Sequence, residues 1–501
     1  MRRFREGCRP IAALLATLVF ASAALGQALN SQIEILLAHA QLGESRVGVY
    51  VQDADTGEVL AAIHDAEPFM PASNMKLLTT GAALVVLGSQ YEFRTTLERA
   101  GDTLVLRGSG DPALADPDLL ASMGMGVEDI LDGWVGAVRD SGPAPIEKVI
   151  VDARVFDREF VHPSWPKDQL NRWYAAEVAG LNFHTNVLSF YLARDEPGQP
   201  PRVTIEPAAP WLTVYNRART VDDGQNTVWV ARPLTSNDMT IYGNLRQTLS
   251  EPILVAVHDP PAFTGRLLAR RLESAGLGHP VVRVAGPGDE PPAGAQITAV
   301  RSTLKMIVRR CNVDSHNLYA EALLKTLGHE VTGRPGSFET GAAVLRMVLQ
   351  DVLGDADTAP TIIADGSGLS RENRVSPRAL GRWLAALANN HGVADVFLGS
   401  LPVAGKEGTL ARRFRNEAPK ARVLAKSGYI RGVSCLSGYL IDDETGRRLV
   451  FSVLVNDIPQ RTVPISRVKE LHEAIVRVAD GWLAEQDARL VGAAAEDGQG
   501  G

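Results

Sequence analysis

Pro71-Ala72-Ser73-Asn74-Met75-Lys76 opens a run rich in Leu, Ala, Val and Met that continues to Leu87. Proline followed by small polar residues marks a helix start at or near Ser73, and the apolar composition beyond it predicts a largely buried helix. Ser73 and Lys76, three positions apart, then share one helix face a single turn apart. An amine so placed can take the hydroxyl proton. Free serine is a weak nucleophile and needs such a base, and a partly buried lysine near other cations has a pKa low enough to serve. The helix N-terminus beneath Ser73 also favours negative charge developing there. Alone, S-x-x-K is a weak signal, because a cap followed by a surface lysine is the common alternative.

The flanking sequence places this helix in a fold. Leu29, Ile33, Leu36, Leu37 and Ala40 repeat at helical spacing behind Asn30-Ser31. Val47, Val49 and Val51 then alternate, Asp55-Thr56-Gly57 turns the chain, and Val59 to Ile63 returns as a second strand of a hairpin. Near the other end, Val423 to Tyr429, Val433 to Ile441 and Leu449 to Val455 read as an antiparallel meander. Ile465, Val468, Leu471, Ile475, Val478 and Trp482 mark an amphipathic closing helix. A hairpin joining that meander, with helices on both faces, predicts one α/β domain built from both ends of the chain. Residues 27–90 and 248–488 are assigned to it, with helical periodicity in Phe263 to Ala275, Thr303 to Cys311, Leu318 to Leu327 and Ala342 to Leu353. Between them, residues 91–247 carry short alternating segments such as Leu104-Val105-Leu106 and Val149-Ile150-Val151, broken by Gly, Pro and Asp. These predict inserted β-rich domains, two of them nested.

Two more polar groups interrupt apolar elements. Ser315-His316-Asn317 sits in a break between two helical segments, where serine can relay a proton and asparagine can bind a substrate amide. Lys426-Ser427-Gly428 lies inside a run that otherwise reads as a strand. Its lysine adds charge, its serine offers a hydroxyl to a carboxylate, and its glycine lets a substrate backbone come close. Each has a bland alternative, a loop cap or an edge-strand lysine. Three such groups in this order, in helix, loop and strand, make the triple S-x-x-K, S-x-N and K-[ST]-G of penicillin-binding enzymes.

Composition sets the surroundings. The 501-residue chain is 45% hydrophobic and 22% charged, as in folded proteins, and is long enough for two or three packed units. Arg2, Arg3, Arg5 and Arg9 precede an apolar stretch from Ile11 to Ala24, and Ala24-Leu25-Gly26 fits a cleavage site. Residues 1–26 are therefore read as a signal peptide, the apolar run being shorter than the roughly 20 residues a membrane span needs. Its removal takes away a net +3 from a chain of charge −7, leaving about −10. That balance argues against a nucleic-acid partner. No stable membrane anchor is expected after cleavage, and oligomeric state is left open. Only Cys311 and Cys435 remain, too few for a disulfide framework, and their pairing stays open. The tail 489–501, rich in Ala, Gly and acid, is expected to be disordered.

On the three motifs and their spacing the sequence resembles the class C low-molecular-mass penicillin-binding proteins, the D-alanyl-D-alanine carboxypeptidase/endopeptidases, over about residues 30–485. Ser315 lies 242 positions beyond Ser73, which is similar to that family, whose insertions fall between the first two motifs. Gly108-Ser109-Gly110-Asp111-Pro112, Asn182-Phe183-His184, Asp365-Gly366-Ser367-Gly368-Leu369-Ser370-Arg371 and Leu401-Pro402-Val403-Ala404-Gly405 are also similar to its signature stretches. The resemblance implies a penicillin-binding, serine β-lactamase-like domain with an antiparallel sheet flanked by helices. It also implies an acyl-enzyme on Ser73, formed from peptidoglycan stem peptides or from β-lactam antibiotics, with no metal or cofactor. Lys76 is then the base, Ser315 and Lys426 pass the proton to the leaving amine, and Asn317 holds the substrate amide. The N–H groups of Ser73 and Tyr429 form the oxyanion hole. Ser427, Gly428 and Tyr429 line the substrate strand, and Asp152, Phe156 and Arg371 line a pocket for the diaminopimelate side chain.

Two departures stand out. Ser427 replaces the usual threonine and Tyr429 a short hydroxyl residue, which predicts weakened or rearranged carboxylate recognition. His316 replaces an Asp or Asn, and a titrating histidine there predicts extra pH dependence. Among rivals, a zinc hydrolase lacks its H-E-x-x-H, a Ser-His-Asp hydrolase lacks G-x-S-x-G, and a β-lactamase lacks the large insertion. A non-catalytic binding module on the same fold would not need all five motif residues.

Overall fold

The computed structural model describes residues 28–497, so the segment read as a signal peptide lies outside the described residues. Both chain ends meet in one five-stranded antiparallel sheet, ordered Arg422–Ile430, Val433–Ile441, Arg448–Asn456, Arg46–Asp53, Val59–Ile63. Register runs from Arg46 opposite Asn456 to Asp53 opposite Leu449. Every residue of Val433–Ile441 is buried, because helices cover both faces. Cys435 and Tyr439 join the core beneath the helices Met75–Leu87 and Pro377–Ala388. Leu436 and Leu440 face the opposite way, onto the helix at 28–39 and the closing helix Ile465–Asp497. This two-residue alternation between two apolar cores is what a central strand requires.

The insertion is larger than its composition suggests. Its main sheet is five-stranded and mixed, ordered Gly278–Val284, Ile146–Asp152, Thr103–Arg107, Glu92–Ala100, Ala295–Thr303. The return to the peptidase domain therefore comes after Thr303, not at 247/248 as the periodicity predicted. Ile253–Ala256 pairs with Val187–Ala193, Gly278–Val284 with Ile146–Asp152, and Ala295–Thr303 with Glu92–Ala100. Helical period in Phe263 to Ala275 signals a crossover of this sheet: parallel strands cannot be joined by a tight turn. The helices Val127–Asp140 and Pro260–Ser274 provide the two parallel connections, and they pack on each other. Smaller sheets are nested in sequence between Asp152 and Gly278, among them one of Val214–Asn216, Trp229–Ala231 and Met239–Tyr242.

The closing helix also corrects an expectation. It continues to Asp497, past the predicted end at 488, through a stretch whose Ala493, Ala494 and Ala495 are strong helix formers. Among the described residues no helix is long and apolar enough to cross a membrane. Cys311 and Cys435 are free, buried thiols. Each lies near a backbone carbonyl, of His316 and Met70 respectively.

Candidate active site

Ser73 sits in a short 3-10 turn, Ala72–Asn74, that runs directly into the helix Met75–Leu87. Ala72 holds φ at 46°, a left-handed value that costs a non-glycine residue of order 1–3 kcal/mol. The surroundings enforce it. A Cβ on Gly368 would stand 1.8 Å from the Ala72 carbonyl, and one on Gly428 would stand 3.0 Å from the Ser73 nitrogen. Asn74 fastens the turn to the third-motif strand, donating to the Lys426 carbonyl at 2.7 Å while accepting from Ser437 at 2.9 Å.

One helical turn on, Lys76 is fully buried and its Nζ reaches three oxygens: Ser73 Oγ at 3.1 Å, Asn317 Oδ1 at 2.6 Å and the Ser367 carbonyl at 2.9 Å. Burial lowers its pKa to about 8. A neutral amine has two N–H bonds and one lone pair, so with Asn317 and Ser367 taking the hydrogens the lone pair is left for the Ser73 proton. Ser315, at φ 60°, sits in the middle of the break between the helices Leu304–Val313 and Asn317–Thr332. Its Oγ accepts from Lys426 Nζ at 2.8 Å, and Lys426 also donates to the Ser427 carbonyl at 2.9 Å. Burial, and then the charge of Lys76, holds the Lys426 amine well below the usual lysine range. The five motif residues, 353 positions apart at their extremes, thus form two amine–hydroxyl pairs, with Asn317 bonded to Lys76, at one cleft of about 740 Å³.

The cleft has a second wall, made by the insertion. Pro166, Gln169, Trp173 and Tyr174 face Ser73, Ser315, Asn317, Arg371 and Tyr429. Asn317 Nδ2 donates to the Tyr174 carbonyl at 2.6 Å, and Trp165 Nε1 to Asp365 Oδ2 at 2.9 Å. Lys325, with a fully buried side chain, donates to Asp157 at 2.7 Å and to the Glu159 carbonyl at 2.6 Å.

Arg371 lines the cleft, donating to the Arg431 carbonyl at 2.8 Å. Asp152 and Phe156 do not. The Asp152 carboxylate is locked between Arg107 and Arg154 inside the insertion, and Phe156 is buried where its ring meets Gly110, with a backbone bridge to Gly336. Tyr429 is 55% exposed, and its hydroxyl accepts from Gln460 at 3.0 Å. Ser427 instead donates to Thr409 Oγ1 at 3.0 Å, and Thr409 lines the cleft. His316 is buried beside Tyr319 and Trp173, and burial pushes its pKa down to about 3. It stays neutral near pH 7, so the pH dependence expected from it is not supplied.

Sequence did not single out Glu321, and gave Asp365 only as part of a signature stretch without a role. Glu321 is wholly buried and accepts from the backbone N–H groups of Gly366 and Ser367, holding the carbonyl that meets Lys76. Its position, four after Asn317 on one helix, was the available signal. Asp365 organises the same loop, accepting from Gly368, Ser370 and Asn373. Among the described residues no cluster of side chains is suited to a metal ion.

With this geometry in place, comparison with known proteins is decisive. The profile of the D-Ala-D-Ala carboxypeptidase 3 (S13) family matches residues 29–480. The chain belongs to that family. The S13 chain is 32% identical to a D-alanyl-D-alanine carboxypeptidase of an Actinomadura species, over 97% of this chain and 94% of that one. It is 23% identical to the D-alanyl-D-alanine carboxypeptidase DacB of Haemophilus influenzae, over 82% and 85%. In structure it is similar to penicillin binding protein 4 from Haemophilus influenzae, with TM-score 0.72 and 21% identity over 89% of this chain and 98% of that one. Family membership makes this S13 protein a serine-type D-Ala-D-Ala carboxypeptidase with a penicillin-binding fold.

Proposed function

We propose that the chain is exported and acts on peptidoglycan stem peptides and their crosslinks, forming an acyl-enzyme on Ser73 that β-lactams also form. The observation that carries this reading is Lys76: a buried amine, 3.1 Å from Ser73 Oγ, whose pKa of about 8 lets a useful fraction act as base near neutrality. In the acylation step Ser73 Oγ bonds to the carbonyl carbon of the penultimate D-Ala and its proton moves to Lys76 Nζ. The backbone N–H groups of Ser73 and Tyr429 receive the oxyanion, a missing donor costing about 10²–10³ in rate. Collapse breaks the peptide bond, and the leaving nitrogen takes a proton through Ser315, which Lys426 orients at 2.8 Å. Water then attacks the ester by the reverse route. Asn317 fixes Lys76 and presents its amide to the substrate. Arg371 stands where it can meet a carboxylate on the acyl side.

The terminal carboxylate is received by a pair of hydroxyls, Ser427 and Thr409, rather than by the residue after the glycine. The Tyr429 hydroxyl is engaged by Gln460, whereas Ser427 and Thr409 already meet at 3.0 Å. The decisive experiment is incubation of the wild type and Ser73→Ala with a labelled penicillin, read by intact mass. Adduct on the wild type alone is the expected result. Absence of adduct on folded wild type overturns the assignment.

A further inference from the structure

The small nested sheet carries aromatic rings on its outer face that contribute little to any core. Trp229 lies directly opposite Tyr242, and Ala231 opposite Thr240. Thr240 in turn lies opposite Tyr215 on the third strand. In-register partners and alternate residues of one strand share a face, so Trp229, Tyr242 and Tyr215 all project to the same side. The other side is the core side, where Val230, Ile241 and Met239 are buried. Trp229 is 47% and Tyr215 54% exposed, while Tyr242 is half-buried and stacks on Trp229 with centroids 4.9 Å apart and planes 25° apart. Cross-strand stacking accounts for one face of each of those two rings. It leaves much of the outer indole face and about half of Tyr215 in solvent. The parallel ladder continues through the Arg217 N–H to the Ile241 carbonyl at 2.9 Å, which brings the exposed Arg217 level with Tyr242.

The strand bearing Trp229 is joined to the segment that forms one wall of the catalytic cleft. The Val230 carbonyl, between Trp229 and Ala231, accepts from Asn171 Nδ2 at 3.4 Å, and Arg232 donates to the Leu170 carbonyl at 3.4 Å. Two residues beyond Asn171 comes Trp173, which lines the cleft and is itself 37% exposed. Two hydrogen bonds thus tie the small sheet to the segment that carries Trp173 into the Ser73 cleft.

We propose that the Trp229, Tyr242 and Tyr215 face binds the glycan backbone of the polymer whose stem peptides enter the cleft. This rests on the functional reading above. Aromatic faces are flat, apolar and electron-rich, and they match the C–H faces of pyranose rings, while Tyr hydroxyls and neighbouring polar groups meet the sugar hydroxyls. Arg217 complements the carboxylates that stem peptides carry along such a strand, in a chain whose overall charge of −7 would otherwise repel them. The occupant follows from the continuity with the cleft: a stem peptide in the cleft is covalently attached to sugar, and the insertion provides a surface on which that sugar can lie. Binding there raises the effective concentration of stem peptides at Ser73.

The test uses the mature wild type, Tyr215→Ala, Trp229→Phe and the double variant Trp229→Ala/Tyr215→Ala. Probes are peptide-free glycan strands, an N-acetylglucosamine tetramer and a sugar-free stem pentapeptide. The wild type is expected to bind the strands and to change tryptophan emission with the tetramer, a change that Trp229→Phe loses. The double variant is expected to bind the strands about tenfold more weakly or worse. It should release D-Ala from the pentapeptide as the wild type does, and more slowly from intact peptidoglycan. Should the double variant melt early in circular dichroism, Tyr215→Ala and the fluorescence titration decide alone. Wild type that ignores peptide-free glycan, or variants that bind it within about twofold of wild type, overturn the proposal. Failure of the catalytic reading looks different: Ser73 is then unlabelled by penicillin, whatever the glycan arms show.

Discussion

The two walls of the cleft are built to different standards. On the peptidase side each chemical group is held several times over: Lys76 by three oxygens, the loop at 365–368 by Glu321 and Asp365, and the Ser73 turn by Asn74. On the insertion side the segment bearing Trp173 and Tyr174 meets the peptidase domain through single polar contacts of Ser164, Trp165 and Asn317, the Lys325 tether, two backbone bonds at Gly336, and apolar packing of Phe156, Trp165, Ala175 and Val178. Proton transfer tolerates little misplacement, so its groups belong on packed helices and strands. A wall that only selects among peptides can come from a loop, because a small displacement there costs affinity rather than chemistry. Acylation by a small β-lactam should therefore depend on the first wall, and discrimination among peptides on the second.

That division can be broken most severely at Lys76. Lys76→Ala should slow penicillin acylation by about 10³-fold or more, measured as the rate of adduct formation. In the wild type only the neutral amine accepts the Ser73 proton, and its pKa is lowered from the ordinary lysine value to about 8. Acylation should therefore rise with pH through about 8 and level above it. A profile flat across that range removes Lys76 as the base. His316, held near 3 by burial, should add no further limb.

An intermediate effect is expected at Lys325, whose ammonium is fully buried against Asp157, the Glu159 carbonyl and the Phe338 ring. Lys325→Met removes the tether but keeps the volume. Asp157 retains access to water, so the loss of stability should be about 1–3 kcal/mol, read as a fall in Tm. KM for stem pentapeptide should rise several-fold, with penicillin acylation little changed. If acylation falls in proportion, the insertion wall is part of the catalytic apparatus and the contrast between the walls fails.

How far the sequence could be read follows the same line. Ser73 and Lys76 were legible because a helix turn relates them, and Ser315, Asn317 and Lys426 because each breaks an apolar pattern and the three groups follow in one order through helix, loop and strand. The antiparallel sheet was legible in the three runs Val423 to Tyr429, Val433 to Ile441 and Leu449 to Val455, separated by short turns. Helical periodicity in Phe263 to Ala275 was also legible, but period says nothing about which sheet a helix packs on, and so the end of the insertion was placed too early. Asp152 and Phe156 rested on local similarity, which does not report that two arginines lie beside the carboxylate. Glu321 and Thr409 act through partners distant in sequence, Ser367 and Ser427; helix spacing from Asn317 could have pointed to the first but not to its partner, and nothing local points to the second.

Thr409 gives the smallest effect and the finest test of how the third motif copes without its usual second hydroxyl. Ser427 and Thr409 are 3.0 Å apart, and only one of the two can donate to the other, so one hydroxyl hydrogen is always spare. When a carboxylate arrives, both can turn and donate to its two oxygens, and the bond between them is exchanged for charge-assisted bonds. Thr409→Val keeps the shape and removes one of these, at a cost of about 1–2 kcal/mol, so KM for a peptide ending in a free carboxylate should rise by roughly 5–30-fold. Because the carboxylate is bound in ground and transition state alike, kcat should hold. The methyl ester of the same peptide should be nearly indifferent to the change, and Thr409→Ser should restore the acid's advantage. Equal losses for acid and ester would mean that Thr409 merely shapes the cleft, and that the carboxylate is held by Ser427 alone.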